Sequence, residues 1–548
     1  MIQHYFTLLQ RQMSEHWSDN ALCNYKGDAF TFGALAENIE RLHILFSNAG
    51  VKKGDHIAIC AKNSARWAIS FFAINTYEAV VVPILADFTP DSINTLVEHS
   101  DSIVLFTDAD MWKKLNPSAM PSLKAAIAVG DFSILYDPSG DFAAAAADVE
   151  NAFTERYPSG MKASDVAYPT DNMSDLAIIN YTSGTTSAPK GVMIRYECIA
   201  TNVVFGQKGI PTHFGDTMVS MLPLAHMYGL MFELIYTLCG GVCITFLGKT
   251  PSPKVLLGAM KEVRPYSVTT VPLVMEKIFK SSILPTLTKP AVKILVRIPL
   301  VNTLIFKIIH DKLVEAFGGR LRVIIMGGAA LNPTVEYWFK KIRLPFTVGY
   351  GMTEASPLLG YEDWRRFVPK SCGKVVDRCE VRIDSDDPQH TVGEIQARGM
   401  NIMSGYYKNP QATKAAFTDD GWMNTGDLGV IDARGNIFIR GRSKNMILSS
   451  SGQNIYPEEI EAIVNNQPYI IESVVVDRAG KIVALVYPDR KALKDDGYDE
   501  EGISELMEQM QALVNKDLPS YSKIKKVEMV EEPFEKTPKM SIKRFLYK

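Results

Sequence analysis

The chain reads Tyr181-Thr182-Ser183-Gly184-Thr185-Thr186-Ser187-Ala188-Pro189-Lys190-Gly191-Val192-Met193-Ile194 between two apolar segments. Gly184 lets bare backbone approach a ligand, the surrounding hydroxyl groups can donate to phosphate oxygens, and Lys190 adds a positive charge. The apolar run 176–180 predicts a buried strand, so the loop would lie at the carboxyl end of that strand. Open α/β sheets bind their ligands at this place. We therefore predict that the loop binds phosphate.

A Walker loop and a flexible surface loop are the two other interpretations of this stretch. A Walker loop needs a glycine, four residues, Gly-Lys and then Ser or Thr, whereas here Pro189 precedes Lys190 and Gly191 follows it. An ordinary nucleoside-triphosphatase loop is therefore excluded. A flexible surface loop rich in Ser, Thr and Gly fits the composition taken alone equally well.

Length and composition predict a globular protein of at least two domains. The chain has 548 residues, of which 47% are apolar and 22% are charged. Its net charge of −3 comes from 58 basic and 61 acidic residues, which gives no overall field that would attract nucleic acid. No nucleic-acid partner is expected.

The cysteines and the apolar segments bear on location. The seven cysteines are scattered without a C-x-x-C pair, so neither a disulfide framework nor a zinc site of that spacing is predicted, and a reducing cytoplasm is favoured. The first residues lack the pattern of a signal peptide. Segment 229–248 is long and apolar enough to be considered as a membrane span. Because it contains Glu233 and Gly240-Gly241, we predict a buried helix, a turn and a strand instead.

Strands alternate with helices along most of the chain, which predicts an α/β fold with parallel sheets covered on both faces. Thr31 is the predicted N-cap of a helix whose apolar face includes Leu35, Ile39 and Leu42. From about residue 374 short strands predict a β-rich subdomain, with a hairpin at 429–439. Beyond residue 443 short elements predict a compact α+β module. We therefore predict a large domain at 1–443 and a small domain at 444–548.

Two further motifs carry chemistry. The first is Gly349-Tyr350-Gly351-Met352-Thr353-Glu354, in which a tyrosine between two glycines leaves an aromatic face open to a base, and Glu354 is a hard oxygen ligand suited to Mg²⁺. The second is Thr425-Gly426-Asp427-Leu428, whose carboxylate could accept both hydroxyls of a ribose. Taken alone, the second motif fits an Asx turn before the hairpin at least as well.

Together these motifs resemble those of the acyl-adenylate-forming enzymes, which include acyl-CoA ligases, firefly-type luciferases and peptide-synthetase adenylation domains. The resemblance extends from Thr31 to Lys543 with the motifs in the same order, and it is greatest to bacterial fatty acyl-CoA ligases. It implies ATP, Mg²⁺ and coenzyme A as cofactors. It also implies a reaction in two steps, in which acyl-AMP and pyrophosphate form first and a thiol then displaces AMP.

The resemblance assigns roles to individual residues. Tyr350 would stack on adenine, Asp427 and Arg442 would bind the ribose, Thr353 would contact the AMP phosphate and Glu354 would bind the metal. His226 would lie between the acyl group and the adenylate, although a lone histidine in an apolar stretch is often only a core residue. The predicted nucleotide-binding and cofactor-binding residues are Thr182, Ser183, Gly184, Thr185, Thr186, Lys190, Gly328, Ala329, Tyr350, Gly351, Thr353, Asp427, Arg442 and Gly452. The predicted catalytic residues are Lys190, His226, Thr353, Glu354, Lys444, Ser541 and Lys539.

The C-terminal domain would be mobile in this family. Lys444 occupies the position of the hinge about which it swings, and the loop at Gly452 would then line the thiol tunnel. The tail departs from the family pattern, because it reads Thr537-Pro538-Lys539-Met540-Ser541-Ile542-Lys543-Arg544. Aligned on its last three residues, it has Ser541 where the family has its adenylating lysine. Lys539 and Lys543 are the candidates to replace that lysine.

The presumed acyl pocket is apolar and draws on 227–238, 271–275 and 327–331. Met227 stands about where amino-acid-activating relatives carry an aspartate, so we predict an amine-free carboxylic acid, most simply a medium- or long-chain fatty acid. The thiol acceptor is coenzyme A or an acyl carrier protein, and a degenerate member with weak adenylation is a further alternative. Segment 277–312 interleaves basic and apolar residues, which fits either peripheral contact with a membrane or a solvated amphipathic face.

Overall fold

The computed structural model describes residues 2–182, 189–210, 212–248, 253–449, 453–537 and 542–547. Its largest sheet has eight strands. In spatial order they are Gly405–Tyr406, Lys190–Arg195, Leu176–Thr182, Val80–Pro83, His56–Cys60, Ser102–Thr107, Ala125–Ala128 and Ile134–Tyr136. Strand Leu176–Thr182 therefore leads directly into the predicted phosphate loop, whose residues 183–188 lie outside the described part.

Both faces of this sheet are covered, because alternate strand residues enter two different cores. Ile57 and Ile59 pack in one core, whereas Ala58 and Cys60 pack in the other. The α-helices of this region are Tyr5–Glu15, Phe32–Asn48, Ala65–Thr76, Pro90–His99, Asp141–Arg156 and Tyr196–Gly209. Thr31 caps the second of them by accepting a hydrogen bond from the backbone N–H of Ala34 at 3.0 Å. The predicted α/β fold and this N-cap are confirmed.

Two smaller sheets complete the α/β part. One contains Thr217–Ser220, Cys243–Phe246, Asn20–Asn24 and Ala29–Thr31, in that order. The other is parallel and contains Ser267–Thr270, Val323–Met326 and Phe346–Val348. Its carboxyl ends deliver Gly327-Gly328 and the Gly349–Glu354 motif to one edge, because parallel strands end on the same side of a sheet. Helices Pro253–Val263, Pro272–Ile278, Val301–Ala316 and Pro333–Lys341 flank it in sequence.

The apolar segment near Glu233 is folded as the sequence predicted. Short helical turns run from Met227 to Cys239, Gly240-Gly241 makes the turn, and a strand follows at Cys243–Phe246. Most of the segment is buried within the protein. Among the described helices, none has the length and hydrophobicity needed to cross a bilayer.

The β-rich region contains an antiparallel sheet of Cys379–Asp384, Gly393–Gly399, Met423–Ile431 and Ile437–Arg442. The last two strands form the predicted hairpin, and their register places Asp427 opposite Arg442. Asp427 and Arg442 are therefore neighbours because of strand pairing, although fourteen residues separate them.

The C-terminal region has strands Ile470–Arg478, Lys481–Pro488 and Lys526–Met529 in one sheet, with helices Pro457–Val464, Arg490–Asp495 and Glu500–Asp517. The buried residues of its core, such as Val464, Val475 and Met510, all lie beyond residue 454. The first two of these strands form a hairpin with its turn at Ala479-Gly480. The domain boundary at residue 443 stays a prediction.

Candidate active site

Asp427 is at the centre of a buried polar group. Its Oδ2 accepts a hydrogen bond from the Tyr350 hydroxyl at 2.8 Å, and its Oδ1 pairs with Arg442 Nε at 2.6 Å. Burial raises the pKa of Asp427, while the nearby Arg442 charge opposes that rise. Its carboxylate therefore contacts side chains that lie outside the Thr425–Leu428 turn. Each carboxylate oxygen keeps a second lone pair, which suits it to accept a ribose hydroxyl.

Glu354, Tyr406 and Lys190 form a second group. The Tyr406 hydroxyl donates to Glu354 Oε1 at 2.9 Å, and Lys190 Nζ lies 4.8 Å from the centroid of the Tyr406 ring. Strand Gly405–Tyr406 pairs with Lys190–Arg195, which brings the tyrosine to the edge of the phosphate loop. Burial, more than the charge of Glu354, raises the pKa of Tyr406, so its hydroxyl stays a donor.

The residues around Glu354 fit a magnesium ion that takes most of its ligands from the substrate and from water. Mg²⁺ usually takes one or two carboxylates and fills its other positions with water and phosphate oxygens. Glu354 supplies one such carboxylate, and Lys190 contacts the ring of the tyrosine, Tyr406, that donates to it. Within the described ranges, no group of three or more His, Cys, Asp or Glu side chains is placed to hold a metal. A cage made only of protein ligands is therefore absent from that part of the chain.

One cavity is lined by residues of the Gly349–Glu354 motif, by Gly327-Gly328 and by His226. Gly328, Tyr350, Gly351 and Thr353 line one part of it. A Cβ atom at Gly351 would lie 2.2 Å from the carbonyl oxygen of Pro357, so this position requires glycine. Gly328 has a φ of +84°, which also favours glycine. Ala329 is exposed and does not line the cavity.

His226 lies at the cavity wall, half-buried, rather than inside the core. Its Nδ1 accepts a hydrogen bond from the backbone N–H of Tyr228 at 3.2 Å, so it caps the short helix Met227–Gly229. This capping bond fixes the ring orientation. The geometry supports the predicted placement between the two parts of the cavity.

The other part of the cavity is apolar. Its wall is formed by Ile210, Tyr228, Phe232, Ile325, Met352, Pro357, Leu358 and Tyr361. None of the described residues that line the cavity is acidic. The hydroxyl of Tyr228 donates to the carbonyl oxygen of Ile325 at 3.1 Å, and this hydrogen bond fixes the position of the Tyr228 side chain.

Two predictions about this pocket need correction. Segment 271–275 is absent from the lining residues, and Pro272 and Met275 are buried. Met227 is fully buried in the core, so it does not face the cavity either. Because a helix turns by about 100° per residue, its neighbour Tyr228 faces the cavity instead.

The hinge and the tail are described in part. Lys444 is exposed in a short turn, Ser443–Asn445. On either side of it, the Ser443 hydroxyl donates to the Gly426 carbonyl oxygen at 3.2 Å and Asn445 Nδ2 donates to Glu458 Oε1 at 2.6 Å.

Thr182 and Lys190 border the phosphate loop. The predicted residues Ser183, Gly184, Thr185, Thr186, Gly452, Lys539 and Ser541 lie outside the described residues.

Sequence reasoning missed Tyr406, Tyr228 and Met352. Tyr406 is 52 residues from its partner Glu354, and the strand that carries Tyr406 pairs with Lys190–Arg195, so the contact with Glu354 depends on the packing of distant elements. No local spacing signals such a pair. The one available clue was the Gly405-Tyr406 pair, since a glycine before an aromatic residue often marks a close approach of backbone.

Comparison with known proteins gives the family of the chain. Residues 9–407 match the AMP-binding enzyme family, and residues 444–547 match the AMP-binding enzyme C-terminal domain. A long-chain-fatty-acid–CoA ligase of Mycobacterium tuberculosis is 27% identical over 518 residues, covering 89% of this chain and 80% of the relative. One from Rattus norvegicus is 26% identical over 521 residues, covering 87% and 74%.

Two solved structures have the same fold. An anthranilate CoA ligase in complex with anthranoyl-AMP superposes with a TM-score of 0.80 at 19% identity, covering all of this chain and 97% of the other. ATP-bound MatB from Rhodopseudomonas palustris superposes with a TM-score of 0.78 at 23% identity, covering all of this chain and 98% of the other. At these identities the likeness concerns the fold alone.

Proposed function

Since the chain belongs to the AMP-binding enzyme family and is an AMP-forming acid–thiol ligase, we propose that it activates a medium- or long-chain fatty acid, or another amine-free acid, and transfers it to coenzyme A. The observation that carries this proposal is the composition of the cavity. Groups suited to a nucleotide line one part of it, whereas the other part is apolar and has no acidic residue among its described lining. An ammonium group would have no partner there.

In the proposed mechanism the substrate carboxylate attacks the α-phosphate of ATP, giving acyl-AMP and pyrophosphate. Tyr350 offers its ring to the adenine, and Asp427 accepts the ribose hydroxyls. Lys190 and Thr353 stabilise the charge that develops on the phosphate oxygens. Glu354 would hold Mg²⁺, which supplies further charge neutralisation when bound. The thiol then attacks the acyl carbonyl carbon, and AMP leaves.

The test is ATP–pyrophosphate exchange with a panel of acids, followed by a comparison of acceptors. We expect exchange with fatty acids, no exchange with amino acids, and thioester formation with coenzyme A. Exchange with amino acids alone would contradict the proposal. Thioester formation only with an acyl carrier protein would identify the protein as an acyl–acyl carrier protein ligase instead. Exchange with no acid at all would favour a degenerate member that binds adenylates without turnover.

Glu354→Gln is expected to lower exchange by about 100-fold, because it removes a full negative charge from the proposed metal site. The measurement is exchange as a function of Mg²⁺ concentration. Tyr406→Phe is the matched control, since it removes only the hydrogen bond to Glu354 and should cost much less. If Glu354→Gln keeps wild-type exchange and an unchanged Mg²⁺ dependence, Glu354 is not the metal ligand.

We further propose a cytoplasmic protein that contacts an anionic membrane surface through segment 277–312. The segment holds seven basic residues and one acidic residue, although the whole chain has a net charge of −3. Large apolar side chains on it are strongly exposed: Leu300 is 85%, Ile294 66% and Leu304 60% accessible. A merely solvated amphipathic face would hide such side chains, so their exposure beside positive charge favours a lipid surface.

The double variant Leu300→Asp, Leu304→Asp is expected to weaken binding to phosphatidylglycerol vesicles by roughly tenfold or more, because each leucine would bury its side chain in the interface. Co-sedimentation with vesicles measures this. Leu513→Asp is the matched control, since Leu513 is also exposed but lies in the C-terminal region. Equal loss in the control, or no binding by the wild-type protein, would contradict the proposed contact.

A further inference from the structure

The segment from Met221 to His226, here called the histidine turn, follows strand Thr217–Ser220 and brings His226 to the cavity wall. Its first two backbone N–H groups, those of Met221 and Leu222, lie beyond the end of the strand. Both donate to Glu233 Oε2 at 3.0 Å. One carboxyl oxygen therefore fixes the start of the turn.

Two asparagines, the half-buried Asn63 and the buried Asn180, hold the rest of the histidine turn. Asn63 donates to the carbonyl oxygen of Leu222 at 2.7 Å and accepts from the N–H of Leu224 at 3.0 Å. Asn180 donates to the carbonyl oxygen of Ala225 at 2.9 Å. Asn180 also belongs to the strand that leads into the phosphate loop. The turn is thus held by side chains from three separate parts of the fold.

Glu233 is a carboxylic acid inside the apolar core, which is an unusual place for this residue type. It is fully buried, its Oε2 also accepts from the Ser220 hydroxyl at 2.8 Å, and its Oε1 is buried without a hydrogen-bond partner. Burial raises its pKa to about 8. It lies in a π-helical turn, Leu230–Ile235, a rare element that often occurs at functional sites.

We propose that Glu233 is a positioning residue for His226. Glu233 holds the backbone at the start of the histidine turn, and Asn180 holds the other end of the same turn. Glu233 is absent from the cavity lining, so it would act through the turn rather than on the substrate. Without its acceptor, two buried N–H groups lose their partners and the turn moves toward other donors or water. A displacement of about 1 Å in a catalytic group can reduce turnover by 100-fold.

The inference depends on the proposed function, and a double-mutant cycle with His226→Ala tests it. Glu233→Met keeps the volume but removes the acceptor, and should lower exchange at least tenfold in the wild-type background. In the His226→Ala background the same change should cost no more than about threefold, because the residue it positions is gone. Glu233→Gln, which still offers an oxygen to both N–H groups, should stay within about threefold of wild type.

Hydrogen exchange of the peptide 221–228 gives a readout that does not need activity, and Glu233→Met should accelerate it while Glu233→Gln should not. If Glu233→Met does not fold, Asn180→Leu takes its place in the cycle with the same expectations. Equal losses in both backgrounds, or unchanged hydrogen exchange, would overturn the positioning role alone. A wild-type protein that exchanges pyrophosphate with no acid would instead overturn the proposed function.

Discussion

Ser541→Lys is expected to raise acid-dependent ATP–pyrophosphate exchange by about 100-fold or more. The resemblance, aligned on Ile542-Lys543-Arg544, puts the adenylating lysine at position 541, and loss of one preorganised donor to the developing charge typically reduces turnover by roughly 10²–10³-fold. The described cations of the tail are already paired: Lys536 with Glu472, Lys543 with Glu535 and Arg544 with Glu461. Lys543, one of the two candidate replacements, is therefore engaged elsewhere in this structure.

Three controls separate charge from other effects of the substitution. Ser541→Met supplies a long side chain without charge and should not raise exchange. Lys539→Ala should lower the native activity, because on an extended strand residues two apart share a face and lie roughly 7 Å apart. Thiolysis of supplied acyl-AMP should be unchanged in all variants. If the native protein already exchanges rapidly, and neither Ser541→Lys nor Lys539→Ala changes the rate, another cation stabilises the developing charge.

Lys444→Pro is expected to reduce thioester formation by about 100-fold while exchange stays close to wild type. Proline fixes φ near −65°, so it would block the rotation that brings the thiol tunnel to the adenylate. Of the contacts described around the hinge, one crosses it, an exposed ion pair between Arg440 and Glu459 at 3.3 Å. Exposed pairs of this kind contribute little.

Lys444→Ala is the matched control, since it removes the same charge but leaves φ free. It should keep most of the thioester-forming activity. The measurements are single-turnover formation of acyl-AMP and of acyl-CoA on the same preparation. Equal loss of both steps in Lys444→Pro would indicate misfolding or a direct role in catalysis, and loss in Lys444→Ala would indicate that the charge itself matters.

The α/β fold and most elements could be predicted because their signals are local. The alternation of strands with helices predicted parallel sheets covered on both faces, and the hydroxyl of Thr31 predicted a helix start. Glu233 and the Gly240-Gly241 pair were sufficient to reject a membrane span at 229–248. The motifs at 349–354 and 425–428 were recognisable because each keeps its residues adjacent in sequence.

The pocket could not be predicted in the same way, since it depends on which side of an element each residue faces. A shift of one residue along a helix decided between Met227, which is buried in the core, and Tyr228, which lines the cavity. Segment 271–275 was apolar and close in sequence to a strand end, yet it does not line the cavity. Apolar composition alone does not distinguish a core from a binding wall.

By itself, then, the sequence determined the class of fold, the order of the motifs and the chemistry that each motif can offer, because those properties depend on residue type and short spacing. Tertiary structure alone decided that Asp427 meets both Tyr350 and Arg442, that Tyr406 joins Glu354 to Lys190, and that Glu233 holds the histidine turn. Strand register and the packing of distant elements set these contacts, and neither leaves a periodic signal in the chain.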